Sequence, residues 1–462
     1  MSVRFESHEV RRALGLPQGG SGRQYPSVAI DSREVERGGL FVALTGARVD
    51  GADFVPQAAR RGAAGAIVPA DRSFDVEGLE LFAVPDTLRA LGDLARFARR
   101  RSRARVVAVT GSSGKTTVKE MLALALAEHG DTWATPGNLN SLTGLPLTVL
   151  RAMPGASYWV LEMGSNAPGE ISRLAAIAEP DDAVVTTVGK AHLEGFGDIE
   201  GVLREKLALV RGAQPGGRVV VGDTPPMLPV AARRIRDDVI VAGLEQTSDF
   251  RPERYETGAE SARFDHGGAT YALQVGGEHH LRDAVIAAAL AAALGVPGEA
   301  AARGLSRYRP VGMRGAIVRA GRLTIVADCY NANPESFEAA IRFCETSFPG
   351  RPRSAVVGSM LELGSDAPAA HRATATRLLH AGFERIFPLG EFRAAFGEAV
   401  AGTRSTGVDA GRVSAADSVE AVVEELLSGA SPGEIVLVKA SRGERLERVV
   451  EALVSRANGE AA

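Results

Sequence analysis

Residues Arg105–Gly130 read RVVAVTGSSGKTTVKEMLALALAEHG, and this stretch decides the fold. An apolar, β-branched run is followed by four small residues, Gly111, Ser112, Ser113 and Gly114, and then by a helix-forming segment that opens on Lys115, Thr116 and Thr117. The glycines let the backbone turn tightly, so that successive N–H groups point at one anion, and the helix amino terminus adds partial positive charge. Lys115 supplies a mobile cation and Thr116 a hydroxyl able to ligate magnesium. The spacing departs from G-x-x-x-x-G-K-[ST], because Val109 stands where the first glycine would fall. The strand, loop and helix context with doubled threonine identifies a nucleotide-phosphate site; the bland alternative is a chance Gly-Lys turn with a surface lysine.

Outward from this loop the pattern is strand then helix repeatedly: SYWVLEMG, GEISRLAAIA, DDAVVTTVG, DIEGVLREKLALVRG and GRVVVGD. Apolar strands alternating with amphipathic helices imply an α/β fold with a mostly parallel sheet covered on both faces. A polar, β-rich insert around residues 245–277 leads into the helix LRDAVIAAALAAALG. After a boundary near Arg309–Arg314 the alternation resumes, with LTIVAD, SAVVGSM, RIFPLG and EIVLVKA as strands and three helices, predicting a Rossmann-like carboxy-terminal domain. Before the loop, PSVAID, GLFVAL and GAIVPA predict a small amino-terminal α/β domain. Three domains are expected, 1–100, 101–312 and 313–462. The basic run ARRRSRAR is expected to be a solvated helix end and connector.

The bulk properties exclude several classes. At 462 residues, 45% hydrophobic and 24% charged, the chain is too long for one core and too apolar for a disordered protein. A net charge of −3 gives no general attraction for nucleic acid, so an anionic ligand needs a local site. Cys329 and Cys344 are the only cysteines, which suits a reducing compartment, and they read as buried small hydrophobes. With no apolar leader in MSVRFESHEVRRALG and no long apolar run, a cytoplasmic protein away from membranes is expected.

Magnesium on nucleotide phosphates takes few protein ligands, which are sought at the carboxyl ends of neighbouring strands. Glu162 closes the strand SYWVLEM at such an end. The next strand runs into GKAHLEGFG and brings His192 to the same edge, placed to serve a second metal; a lone loop histidine is otherwise polar surface. Lys206, in VLREKLALV, reads on pattern alone as a solvent lysine. To acquire a carbamate from carbon dioxide it would need a suppressed pKa.

These residues together resemble the Mur ligase superfamily, whose hallmark is a shortened TGSSGKTT-type loop followed by a strand-end glutamate, a histidine loop and a lysine helix. The resemblance covers nearly the whole chain, through IDSREVERGGLFVALTGARVDGADF, TPGNLNSLTGLPLT, VLEMGSNAPGEI, VGKAHLEGFG, ADCYNANPESF, VGSMLELG and VLVKASRG. ADCYNANPESF is similar to the branch that adds D-alanyl-D-alanine to UDP-MurNAc-tripeptide, and no DNPR-like signature is present. The resemblance implies ATP held by Gly111 to Thr117, magnesium at Thr116 and Glu162, and a second ion near His192. It also implies a carbamate at Lys206, and catalytic roles for Lys115, His192, Lys206 and Arg314. Arg314, Asp328, Asn331 and Asn333 match nucleotide-facing motifs, and Asp283 the nucleotide-base contact. Asp31, Ser32 and Arg33 match the segment associated with the uridine nucleotide, Asn138 and Asn140 a substrate stretch, and Lys439, Ser441 and Arg442 an acceptor-side surface. A monomer is expected.

The chain departs from that family at GEHHLRDA, where His280 and Asp283 replace two asparagines, at Ser141, which replaces the last asparagine of NxNN, and at Ala327, which leaves Asp328 as the one acid before the tyrosine. Two other readings compete: a ligase of the same superfamily for another amino acid or carboxylate, and a P-loop switch or motor that hydrolyses nucleotide to drive a partner.

Overall fold

The computed structural model describes residues 4–46, 49–403, 410–457 and 459; Ala47 and Arg48, within the long amino-terminal motif, lie outside the described residues. Its centre is a six-stranded sheet in the order Ile240–Ala242, Val219–Gly222, Asp182–Val185, Arg105–Thr110, Tyr158–Glu162 and Thr132–Ala134, parallel throughout. Side chains alternate across the phosphate-loop strand, as the period of two requires. Val106 and Ala108 pack on one face with Leu161, Ala183 and Val185. Val107 and Val109 pack on the other with Met121, Leu122, Val285 and Leu290. Each wholly buried valine of this kind contributes on the order of 1.5–3 kcal/mol.

Winding reverses at Arg105–Thr110, whose two neighbours come from opposite sides of the sheet. Such a switch point opens a crevice at the carboxyl ends of the strands. The register sets Val109 beside Glu162 and Thr110 beside Val185, so the phosphate loop, Glu162 and Thr186 share one edge. The polar insert forms an antiparallel meander, Arg254–Thr257, Ala262–His266 and Ala269–Leu273, whose Phe264 and Tyr271 rings stack at 4.4 Å.

The carboxy-terminal sheet orders Ala316–Ala320, Leu323–Asp328, Ile435–Lys439, Arg353–Val357 and Arg385–Pro388. Only its first strand runs antiparallel, in a hairpin turned at Gly321, and that strand has no counterpart in the sequence reading. Before the centre, Val28–Ala29, Leu40–Val42, Gly65–Pro69 and Glu80–Val84 form a small parallel sheet.

The helix Thr87–Arg101 joins this small sheet to the centre, and the basic run at its end is, as expected, a helix end and connector with Arg100, Arg101 and Arg103 exposed. Its buried residues Leu91, Leu94, Ala95 and Ala98 belong to the same core as Leu145, Ile171 and Leu174 of the central unit. Arg96 Nε and Arg100 Nη2 reach Glu179 at 2.8 and 2.6 Å, and Arg99 Nη2 reaches Asp181 at 3.0 Å. The hydrogen bond from Arg100 leads in holding the Glu179 carboxyl below its usual range. The run is a row of ion pairs that pins the helix end to the central unit. No described helix is long and apolar enough to cross a membrane.

Candidate active site

The phosphate loop is shaped by two glycines at which a side chain would collide with its neighbours. Gly111 has φ +153°, and a Cβ there would fall 1.9 Å from Thr186 Oγ1. Gly114 is left-handed at φ +76° and caps the helix Lys115–Leu126, with a hypothetical Cβ 2.4 Å from Asp283 Oδ1. Ser112 fastens the loop to the histidine loop: it receives the Gly189 N–H at 2.9 Å, and its own N–H donates to Thr187 O at 2.9 Å. Thr186 Oγ1 donates to Ser113 O. Lys115 begins the helix, as read, and its Nζ donates to Gly111 O at 2.7 Å. Burial pushes that amine below its ordinary value; Glu162 opposes the shift and Arg314 adds to it, which sets all three groups around one space.

That space is a cleft of about 400 Å³ between the central and carboxy-terminal units. It is lined by Ser112 to Thr117, Asn138, Asn140, Glu162, His192, Asp283, Arg314, Asp328, Asn331, Asn333 and Lys439, so most of the expected nucleotide and metal residues converge there. Glu162 is 1% exposed. Its Oε1 accepts from Asn140 Nδ2 at 2.7 Å, whereas Oε2 is buried without a hydrogen-bond partner among the described residues. A buried carboxylate oxygen left unpaired costs on the order of 1–3 kcal/mol, and a divalent cation is the partner that suits it. Among the described residues no group of three or more His, Cys, Asp or Glu side chains forms a metal cage. Magnesium, which keeps most of its waters, does not need one.

His192 has another partner than the expected second metal. Its backbone is left-handed at φ +55°, and its Nδ1 lies against a carboxylate oxygen of Glu362 from the carboxy-terminal unit without forming a hydrogen bond among the described residues. On the same loop Lys190 N–H donates to Glu335 Oε1 at 2.9 Å. Lys206 is not a solvent lysine. It is 1% exposed, its Nζ lies 2.8 Å from Ser165 Oγ, and burial, reinforced by Lys115, pushes its pKa down to about 7.

Arg314 comes to the cleft from the connector, its guanidinium 3.5 Å over the Tyr330 ring and bonded to Val311 O at 3.1 Å. Lys439 and Ser441, expected on an acceptor-side surface, are buried, although Lys439 still lines the cleft. Lys439 is wholly buried, and because it sits opposite Asp328 in the sheet its Nζ reaches Asp328 Oδ2 at 2.6 Å. Ser441 is also buried and receives the Leu361 N–H at 3.0 Å; Arg442 alone stays exposed. Asn333 spends its side chain capping the helix Pro334–Ser347, in a reciprocal box with Ser336. Asp31, Ser32 and Arg33 sit on the amino-terminal unit and do not line the cleft; Arg33 grips Asp31 at 2.7 Å and Ser32 Oγ donates to Gln57 at 2.8 Å.

The departures have local explanations. Ser141 Oγ receives the Gly144 N–H at 3.2 Å at the start of the helix Gly144–Leu150. Ala327 faces an apolar core beneath the sheet, where an acid would be buried. Burial raises the Asp283 pKa well above the ordinary carboxylate value, with Thr117 opposing the shift. Tyr330, Ser165, Glu335 and Glu362 are cleft or loop partners that no role was assigned from sequence, although Tyr330 and Glu335 lie inside ADCYNANPESF.

Residues 24–99 match the Mur ligase family catalytic domain, residues 109–291 the Mur ligase middle domain, and residues 313–442 the Mur ligase glutamate ligase domain. The UDP-N-acetylmuramoyl-tripeptide–D-alanyl-D-alanine ligase of Escherichia coli is 35% identical over 438 residues, spanning 92% of this chain and 93% of that protein. The chain belongs to the Mur ligase family. Among solved Mur ligases, MurF from Acinetobacter baumannii superimposes with a TM-score of 0.88 at 28% identity, covering 98% of this chain and 99% of that one. MurF from Thermotoga maritima, crystallised with ADP, gives 0.82 at 30% identity, covering 94% and 98%.

Proposed function

We propose that the chain is an ATP-dependent ligase that joins D-alanyl-D-alanine to the peptide carboxylate of UDP-MurNAc-tripeptide, giving UDP-MurNAc-pentapeptide, ADP and phosphate for peptidoglycan synthesis. The observation that carries this is the cleft itself: in a chain 35% identical to such a ligase over nine-tenths of its length, the phosphate loop, the orphaned Glu162 oxygen and Arg314 face one another.

A carboxylate is a poor acylating agent because its leaving group is poor. Transfer of the γ-phosphoryl group converts it to an acyl phosphate. Two like charges about 4 Å apart repel by roughly 4 kcal/mol at an effective dielectric near 20, so the approach of carboxylate to triphosphate needs cations on both sides. Lys115 supplies one from the loop and Arg314 the other from across the cleft. The dipeptide amine then attacks the carbonyl, and phosphate leaves from the tetrahedral intermediate. Thr116 and Glu162 would hold magnesium, which when bound neutralises phosphate charge. Lys206 is suited to carry a carbamate, since a pKa of about 7 leaves about half of the amine neutral at neutral pH.

In this reading residues 1–100 bind the uridine nucleotide through Asp31, Ser32 and Arg33, residues 101–312 bind ATP, and residues 313–462 close over it. Asn138 and Asn140 face the donor peptide, and Arg442 the acceptor side, with Lys439 and Ser441 supporting from below. A role for His192 toward a second ion requires its release from Glu362. The enzyme is a cytoplasmic monomer that engages neither nucleic acid nor membrane.

The test is to incubate the protein with ATP, UDP-MurNAc-tripeptide and D-alanyl-D-alanine, following phosphate release and product mass. Phosphate release that needs both substrates, with the pentapeptide mass, is expected. Turnover with a different amino acid would point to another ligase of the superfamily, and ATP hydrolysis indifferent to the dipeptide would point to a switch or motor.

A further inference from the structure

The helix Glu278–Ala293 enters the cleft with His280 and Asp283 on one face, a turn apart, at the two positions where the chain departs from asparagine. The chemistry above gives His280 no task, yet the ring is 2% exposed. Its Nδ1–H donates to Gly276 O at 2.8 Å, which anchors it to its own helix entry. Its other edge meets the carboxy-terminal side. The ring packs on the Arg314–Gly315 bend: a Cβ on Gly315 would stand 2.9 Å from its Cε1 and 3.5 Å from its Nε2. Gly315 is left-handed at φ +70°, so the bend that delivers Arg314 is moulded against this ring.

The Arg314 side chain is otherwise held by Tyr330 and Val311, both outside the central sheet unit. Asp283 meanwhile abuts Gly114. One helical turn therefore meets the phosphate loop with Asp283 and the Arg314–Gly315 bend with His280.

We propose that His280 is a positioning residue that fixes the Arg314 guanidinium relative to the phosphate loop. The inference deepens the ligase reading and rests on it. A cation that acts on the transferring phosphoryl group must be held within a fraction of an ångström, and misplacement by about 1 Å can cost about a hundredfold in rate. Loss of His280 should therefore show in kcat rather than in ATP binding, which the loop provides.

Wild type, His280→Ala, Arg314→Ala and the double variant, all full length, are compared in the substrate-dependent phosphate-release assay. His280→Ala is expected to lower kcat by about tenfold or more while KM for ATP moves less than about threefold. The loss should disappear in the Arg314→Ala background, because a residue acting through Arg314 has nothing left to position. His280→Gln, whose amide reaches the site of Nε2, should recover most of the rate. Equal fold-losses in both backgrounds, or a Gln variant no better than Ala with Tm lowered in parallel, would overturn the inference while leaving the ligase reading intact. Absence of dipeptide-dependent turnover in the wild type would instead sink that reading.

Discussion

Replacing Lys206 by methionine separates the cost of burying an amine from its use. The wild-type group has a folded pKa of about 7 against an ordinary 10.5, a displacement caused first by burial and then by Lys115. The sign follows from linkage. Below pH 7 the amine is charged in both states and the folded protein bears the whole penalty, on the order of 5 kcal/mol at about 1.4 kcal/mol per unit. Between pH 7 and 10.5 the unfolded chain binds the extra proton, so rising pH stabilises the fold. Methionine fills a similar volume with no charge and removes this dependence. In urea titrations under carbon dioxide-free buffer the variant should be the more stable protein at pH 7. Its advantage should shrink by roughly 2 kcal/mol by pH 9. Ligase turnover should fall at least about a hundredfold across the same range if the amine or its carbamate serves the reaction. A stability difference that is flat with pH would show that Lys206 keeps an ordinary pKa, and full activity would remove it from the site.

Lys115→Ala should abolish phosphate release by taking the cation from the loop, and a fully active variant would refute the role assigned to it. Gly114→Ala forces a Cβ into a left-handed position 2.4 Å from Asp283 Oδ1, so nucleotide affinity measured by calorimetry should fall along with about 1–3 kcal/mol of stability. Glu162→Gln should weaken magnesium dependence, raising the concentration needed for half-maximal turnover at least about tenfold without lowering Tm; unchanged magnesium dependence would contradict a ligand role.

The phosphate loop, the strand carrying Glu162 and the helix opening on Lys115 were legible because each is a local pattern: a period of two, a run of small residues, a period near 3.6. Partnerships across long separations were not. Lys206 reads as solvent-facing because its burial is decided by Ser165 and Phe196, contributed by two other segments. Lys439 ends an apolar strand, and nothing in VLVKASRG announces that Asp328, more than a hundred residues earlier, is its register partner. His192 looked free until the loop bearing Glu362 met it. The run ARRRSRAR is solvated as read, but its acceptors, Glu179 and Asp181, follow a helix some 80 residues on and were not legible.

That arginine-tipped helix has a mechanical corollary. Its apolar side is shared by the small amino-terminal sheet and the central one, and its tip is riveted by three guanidinium groups. The first two units thus share one apolar core and one row of ion pairs. On the roles proposed for Arg33 and the phosphate loop, a ligand spanning both would be matched to that shared core by its length as well as its chemistry.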